Sequence, residues 1–175
     1  GSSEEQAGLA KEYLKVVWGA LLQCASSALP EVSHPPLEFM AAYVNWLKRK
    51  AREEGGIGTE EVAGHLEPIL VVIRTKVQYS QDCDPDSQGE EEEAQEEYRR
   101  ELLILFKNIT RMAPALALSF LQDTVGHVTA QLNLLPPSSP PGALPPSLRW
   151  PELEGVLTLV YEFGEGVGGG GGGRL

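Results

Sequence analysis

The region between residues 96 and 166 constrains the fold more than any other part of this chain. It contains two amphipathic helical patterns separated by about two residues, then a proline-rich stretch and a third helical pattern. Helices joined by so short a turn form an antiparallel hairpin, and such a hairpin cannot bury its apolar face alone. It needs similar hairpins stacked beside it, as in an α-solenoid. The sequence therefore predicts an all-α fold, an α-solenoid of antiparallel helix hairpins.

The helical pattern extends over the rest of the chain. Apolar residues recur at intervals of three and four in six segments: about 4–28, 36–54, 59–79, 91–112, 114–133 and 151–163. Pro68 lies inside the third segment, and we expect a kink or a break near His65. In the second segment, Phe39, Tyr43 and Trp46 flank the main apolar stripe, which predicts burial against neighbours on both sides. Paired helices give units of about 40 residues or more, the size of HEAT-type repeats.

Composition divides the chain further. We predict helical hairpin repeats over 1–80, an acidic loop over 81–95, a hairpin over 96–134, a proline-rich loop over 135–149, a helix over 150–166 and a flexible glycine-rich tail over 167–175. Repeated prolines predict that the loop is extended and mobile. The missing initial Met and the glycine-rich end favour a fragment of a larger superhelix.

Acidic residues are concentrated in one block. The formal net charge is −11, and ten of the 25 acidic residues lie between Asp82 and Glu101. Without this block, 15 acidic and 12 basic residues remain, a net charge of −3. Overall acidity therefore decides nothing about nucleic-acid partners, because local clusters determine such binding. No apolar run approaches the ~20 residues of a membrane helix, and Cys24 and Cys83 match no metal or redox motif.

Catalytic residues are not indicated. The three histidines, His34, His65 and His127, are scattered, and no metalloprotease, nucleophile-elbow or phosphate-loop motif occurs. Glu61 and His65 share a helix face, which leaves a helical-bundle metalloenzyme as a minor alternative, although di-iron bundles need paired motifs of this kind. We predict no catalytic site, metal, cofactor or small-molecule substrate.

Basic residues form the candidate sites for nucleic acid. If the helices stack into a curved array, cations on its concave face would meet phosphates. The candidates are Lys48, Arg49, Lys50, Arg52, Arg74 and Lys76; a further group contains Arg99, Arg100, Lys107 and Arg111. The alternative for Lys48–Arg52 is a structural role, because cations at a helix C-terminus complement the helix dipole.

The acidic block is a candidate protein-binding site. Glu90, Glu91, Glu92 and Glu93 lack the alternating ligands and central glycine of a calcium loop. They are either a solvated helix start or a segment that attracts a basic protein partner.

Four segments in one order resemble the exportin-T family, particularly its plant and algal members. They are FMAAYVNWLK (Phe39–Lys48), ILVVIRTKVQYSQD (Ile69–Asp82), EEYRRELLILFKNITRMAPALA (Glu96–Ala117) and GVLTLVYEFGEG (Gly155–Gly166). The acidic interruption before the YRRELL helix and the closing YEFGE are jointly specific.

This resemblance implies part of an importin-β-like nuclear export receptor, a long HEAT-repeat superhelix that is not an enzyme. Such a receptor binds mature tRNA together with Ran-GTP, crosses the nuclear pore through contacts with pore proteins, and shuttles between nucleus and cytoplasm. We expect tRNA, Ran-GTP and pore proteins as partners, and no membrane. The alternative is an α-solenoid scaffold that binds proteins and no RNA.

Overall fold

The computed structural model describes residues 16–53, 59–80 and 89–168. These residues form helices and connecting turns, with no strand among them. The helical segments are α1 over 16–25, α2 (Pro30–Ser33), α3 (Pro35–Glu53), α4 (Thr59–Lys76), α5 (Glu90–Met112), α6 (Pro114–Leu132) and α7 (Trp150–Gly168). The prediction of an all-α fold is confirmed.

Helix α5 is the centre of the described fold, because it packs against α3, α4, α6 and α7. Its buried residues Tyr98, Leu102, Leu105, Phe106 and Ile109 belong to the main core cluster. These positions recur every three or four residues, so they line the faces that α5 turns to its neighbours. The core also takes in buried residues of α3, α4, α6 and α7.

Two contacts show that α3 and α4 run antiparallel. The hydroxyl of Tyr43 in α3 hydrogen-bonds Nδ1 of His65 in α4 over 2.9 Å. Further along α4, Nζ of Lys76 donates to the carbonyl of Ser27, which precedes α3, over 2.5 Å. Between these two contacts, the residue number rises from His65 to Lys76 along α4 but falls from Tyr43 to Ser27 in the partner segment. Helices α3 and α4 therefore pack as an antiparallel pair.

Helices α5 and α7 run parallel, as equivalent helices of successive hairpins do. Arg99 pairs with Glu154 at 2.8 Å, and Lys107 pairs with Glu162 at 2.9 Å, so both helices advance by eight residues between the two ion pairs. Only Ala113 separates α5 from α6, which turns back against α5. The hairpins α3–α4 and α5–α6, followed by α7, form a HEAT-type α-solenoid.

The proline-rich segment is not extended, and that part of its prediction is wrong. Three turns fold it, with backbone N–H groups of Ser139, Ala143 and Leu148 donating to the carbonyls of Pro136, Pro140 and Pro145 at 2.9–3.1 Å. Each acceptor is a proline three residues earlier; proline lacks an N–H, but its carbonyl remains free to accept. Leu144 and Leu148 pack in a second small core with Val128, Leu132, Leu153 and Val156.

Several predicted boundaries are also corrected. Helix α5 begins at Glu90, so residues 90–95 of the predicted acidic loop are helical, and α7 continues through residues 167 and 168 of the predicted tail. Helix α1 ends at residue 25, and the short α2, with Pro30 in its first turn, follows unpredicted. Helix α4 continues through Pro68 without a break. Residues 1–15, 54–58, 81–88 and 169–175 lie outside the described ranges.

The aromatic residues of α3 are buried less evenly than predicted. Tyr43 is buried, with its ring 4.7 Å from Trp18 and 5.7 Å from Trp46 between centroids. Phe39 and Trp46 instead remain 38% and 42% exposed. On this side of α3, Trp18 of α1 lies beside the rings of both Phe39 and Tyr43.

The second core gives a stability prediction for the proline-rich segment. Leu148 is 3% exposed, whereas Leu134 is 74% exposed. Replacing a buried leucine by alanine typically costs about 2–5 kcal/mol. We expect Leu148→Ala to lower the free energy of unfolding by about 2–3 kcal/mol in a denaturant titration, and Leu134→Ala to change it by less than about 0.5 kcal/mol. Equal effects of the two substitutions would contradict the packing of this loop.

Candidate nucleic-acid and protein interfaces

The predicted basic residues lie at two opposite edges of the helix layer. Because α3 and α4 are antiparallel, the C-terminal end of α3 lies beside the start of α4, and α4 ends at the far side. We name these the Arg52 edge and the Lys76 edge. About 17 residues of α4 separate them, or roughly 25 Å at a rise of 1.5 Å per residue. The structure therefore does not bring the two predicted groups together.

The Arg52 edge contains the more accessible cations. Arg49 and Arg52 are exposed, and Lys48 and Lys50 are half-buried. The ammonium of Lys50 lies 5.2 Å from the centroid of the Trp46 ring, a cation–π contact. Cations in the last turn of α3 also complement the helix dipole, so a structural role and a binding role coexist here.

At the Lys76 edge, both predicted cations are engaged within the fold. Lys76 is half-buried, with its ammonium bonded to the carbonyl of Ser27, and burial lowers its pKa. The guanidinium of Arg74 lies 5.8 Å from the ring centroid of Phe120 in α6. Both side chains therefore tie α4 to its neighbours, which leaves less of either charge available for a nucleic acid.

The acidic segment forms the first turn of α5 at the Lys76 edge. Glu90 and Glu93 are exposed and Glu92 is half-buried, while Glu91 is helical. Carboxylates at a helix N-terminus are stabilised by the dipole. The helix therefore presents Glu90 and Glu93 to solvent.

Arg99 is the charged residue whose position the sequence analysis missed. It is only 4% exposed, and Nη2 donates to both carboxylate oxygens of Glu154 at 2.8 and 2.9 Å. Its guanidinium carbon also lies 3.6 Å from the centroid of the Tyr79 ring. The signal was present in the sequence: Arg99 precedes Leu102 and Phe106 at intervals of three and four, on the apolar stripe of α5.

Tyr79, which is half-buried, packs against the buried Arg99. Its ring lies between Arg99 and Trp150, whose centroid is 5.9 Å away, and its hydroxyl donates to Oε1 of Glu96. Burial and the hydrogen bond to Glu96 raise the pKa of Tyr79 to about 12, against the opposing charge of Arg99. The segment after α4 and the starts of α5 and α7 are thus joined by one polar cluster.

Two classes of site are not found in the described ranges. Their His, Cys, Asp and Glu residues form no group of three or more that could hold a metal ion. None of the described helices is long and apolar enough to cross a membrane.

The stacked hairpins define a HEAT-type α-solenoid protein. A family model of exportin-T matches residues 4–172. The chain belongs to the exportin-T family.

Three curated relatives agree with this assignment. Exportin-T of Oryza sativa subsp. japonica is 31% identical over 180 residues, which cover 96% of this chain. Exportin-T of Neurospora crassa is 28% identical over 160 residues and 89% of the chain, and that of Arabidopsis thaliana is 24% identical over 176 residues and 95%. The chain spans only 14–16% of the length of these relatives. No solved structure matches it.

The Arg99 cluster gives a second stability prediction. Removing one partner of a buried ion pair costs about 3–5 kcal/mol, and Glu154 retains 33% exposure to water, which favours the lower value. We expect Arg99→Met to lower the free energy of unfolding by about 3 kcal/mol in denaturant. Arg100 is exposed, so Arg100→Met is the matched control with a change below about 0.5 kcal/mol. An equal loss in both variants would show that Arg99 does not hold α5 and α7 together.

The raised pKa of Tyr79 gives a pH-dependent prediction. Between the ordinary pKa of 10.0 and about 12, the folded state keeps a phenolic proton that the unfolded state has lost. The stability contributed by this group is present below pH 10 and is lost as the pH rises towards 12. The Tm of the wild type should therefore fall more steeply between pH 10 and about 12 than the Tm of Tyr79→Phe. Identical slopes would contradict the raised pKa.

Proposed function

We propose that this chain is part of a nuclear export receptor that binds mature tRNA together with Ran-GTP and carries it through the nuclear pore. Membership of the exportin-T family is the observation that carries the proposal. The receptor shuttles between nucleus and cytoplasm, binds pore proteins during passage, and has no catalytic activity of its own.

We further propose that the Arg52 edge contributes to the tRNA contact. Arg49 and Arg52 are exposed and lie within one turn of α3. Arg111 lies in the last turn of α5 and is also exposed. Tyr79, which follows α4, contacts Glu96 and Arg99 near the start of α5, so the end of α5 lies towards the Arg52 edge. A row of cations at helix ends suits the phosphate backbone, whose recognition depends on charge and shape. Arg74 and Lys76 are the weaker candidates, because intrachain contacts engage them.

The acidic start of α5 is the proposed contact for Ran. Glu90 and Glu93 point charge into solvent from a rigid helix, and a basic partner surface would be attracted by this field. The Arg52 edge and this acidic segment lie on opposite sides of the helix layer, so both partners could bind without competing for the same charges.

The direct test is tRNA binding by the full-length protein with and without Ran-GTP, at two salt concentrations. The proposal predicts tight binding only with Ran-GTP and a steep loss of affinity with salt, because counterions are released from the phosphates. Absence of tRNA binding under every condition would favour the α-solenoid scaffold that binds proteins alone.

Charge reversal at the Arg52 edge tests the proposed tRNA contact. Each lost phosphate contact removes about 0.7–0.9 from the slope of log K against log salt. Arg49→Glu with Arg52→Glu should weaken Ran-GTP-dependent tRNA binding about tenfold at low salt and reduce the slope by about 1.4–1.8. Arg100→Glu with Arg149→Glu, two exposed cations outside the last turns of α3 and α5, is the charge-matched control. Equal losses of affinity in both variants would show that the Arg52 edge makes no specific contact with tRNA.

A further inference from the structure

Helix α7 has an apolar face that no described helix covers. Leu157, Val160 and Tyr161 are 60%, 43% and 67% exposed, and Trp150 is 39% exposed. Leu153 is half-buried on the same side. At 3.6 residues per turn, these five residues span about 100° of the helix circumference, and no charged residue lies within that span. We name these five residues the Leu157 face.

The opposite side of α7 already packs within the fold. Helix α7 contacts α4, α5 and α6, and Val156 and Leu159 are among its buried residues. Two of its four glutamates, Glu154 and Glu162, are paired with cations of α5. Apolar residues therefore occupy both sides of α7, although a surface helix normally turns a polar face to solvent. A helix that is hydrophobic all round is normally buried on all sides.

The shape of the Leu157 face suits a packed helix. It contains an apolar groove of about 400 Å³, whose lining includes Trp150, Leu157 and Tyr161. Gly164 lies one turn beyond Val160 on the same side of α7, and a Cβ there would meet no atom within 4 Å. On the buried side, a Cβ at Gly166 would lie 3.0 Å from Thr110 of α5, so glycine permits close packing there. Glycine inside a helix is unfavourable relative to alanine, and Gly164 leaves room for an equally close backbone.

The order of the helices indicates which element would cover this face. Helices α3 and α7 both contact α5 but not each other, so they lie on different sides of α5. Among the described helices, α7 is the last in this series, and its Leu157 face points away from the helices it contacts. In a solenoid, each unit buries its apolar face against the next unit of the same chain. The chain spans only 14–16% of the length of its curated relatives, so further helices of one polypeptide could continue the stack.

We propose that the Leu157 face binds an amphipathic helix of the same polypeptide that lies outside these 175 residues. An apolar side chain of that helix fills the groove between Trp150 and Tyr161, and its backbone approaches α7 closely at Gly164. The face is therefore an internal interface of the superhelix, and it is closed to other proteins and to tRNA. The inference rests on the proposed function only in treating this chain as part of a longer receptor.

Photocrosslinking in the purified full-length protein identifies what covers the face. The crosslinker p-benzoylphenylalanine replaces Tyr161, and in the control variant it replaces Leu134, which is 74% exposed and lies outside α7. Mass spectrometry should find position 161 joined, within one polypeptide, to a peptide from outside residues 1–175, and position 134 not joined to that peptide. A crosslink to a second copy, a crosslink only within residues 1–175, or no crosslink would overturn the inference.

Thiol labelling of the full-length protein tests the same contact with a smaller substitution. Leu157→Cys and Leu134→Cys replace leucines that are 60% and 74% exposed in this structure. Because the labelling of a thiol depends on its exposure, a covering helix should slow the reaction of position 157 with a maleimide at least about tenfold relative to position 134. Equal labelling rates in the two folded variants would overturn the inference, since the face would then be open to solvent.

Binding of tRNA with Ran-GTP by the wild type distinguishes the two proposals. If tRNA binds but position 157 is labelled as fast as position 134, the inference fails and the export function stands. If position 157 is protected and position 161 is crosslinked as expected but no tRNA binds, the export function fails and the internal interface stands.

Discussion

The burial of α5 among four neighbouring helices is the constraint on which the rest of the structure depends. No single face of α5 could contact all four neighbouring helices, α3, α4, α6 and α7. Apolar side chains therefore surround most of its C-terminal half. Its N-terminal half is different, because acidic residues there remain in solvent and Arg99 is buried against Glu154. One helix thus joins two hairpins at one end and presents charge at the other.

Close approach of α5 and α7 depends on both small and charged residues. A side chain at Gly166 would bring its Cβ within 3.0 Å of Thr110, so glycine allows the helices to meet near their C-terminal ends. The ion pairs of Arg99 and Lys107 fix their register at two further levels. This combination fixes α7 against α5, although the long proline-rich segment separates α7 from α6 in sequence.

Much of this fold could be predicted from periodicity, because amphipathic helices that need partners leave a strong pattern. The compact turns of the proline-rich segment could not be, since proline content excludes helix but does not reveal that Leu144 and Leu148 find a second core. The candidate sites, too, could be predicted from the sequence only in part. The acidic residues Glu90–Glu93 are visible in the sequence, but only the packing of α7 against α5 shows that Arg99 is buried against Glu154. The engagement of Lys76 by Ser27 is likewise a contact across 49 residues that no local pattern records.

Export of tRNA from the nucleus is the central claim, and the distribution of mature tRNA in cells tests it most directly. We would deplete the full-length protein and measure the nuclear and cytoplasmic fractions of mature tRNA by in situ hybridisation. The account predicts nuclear accumulation that the wild-type protein reverses. An unchanged distribution after complete depletion, in cells with no second receptor for tRNA, would contradict it.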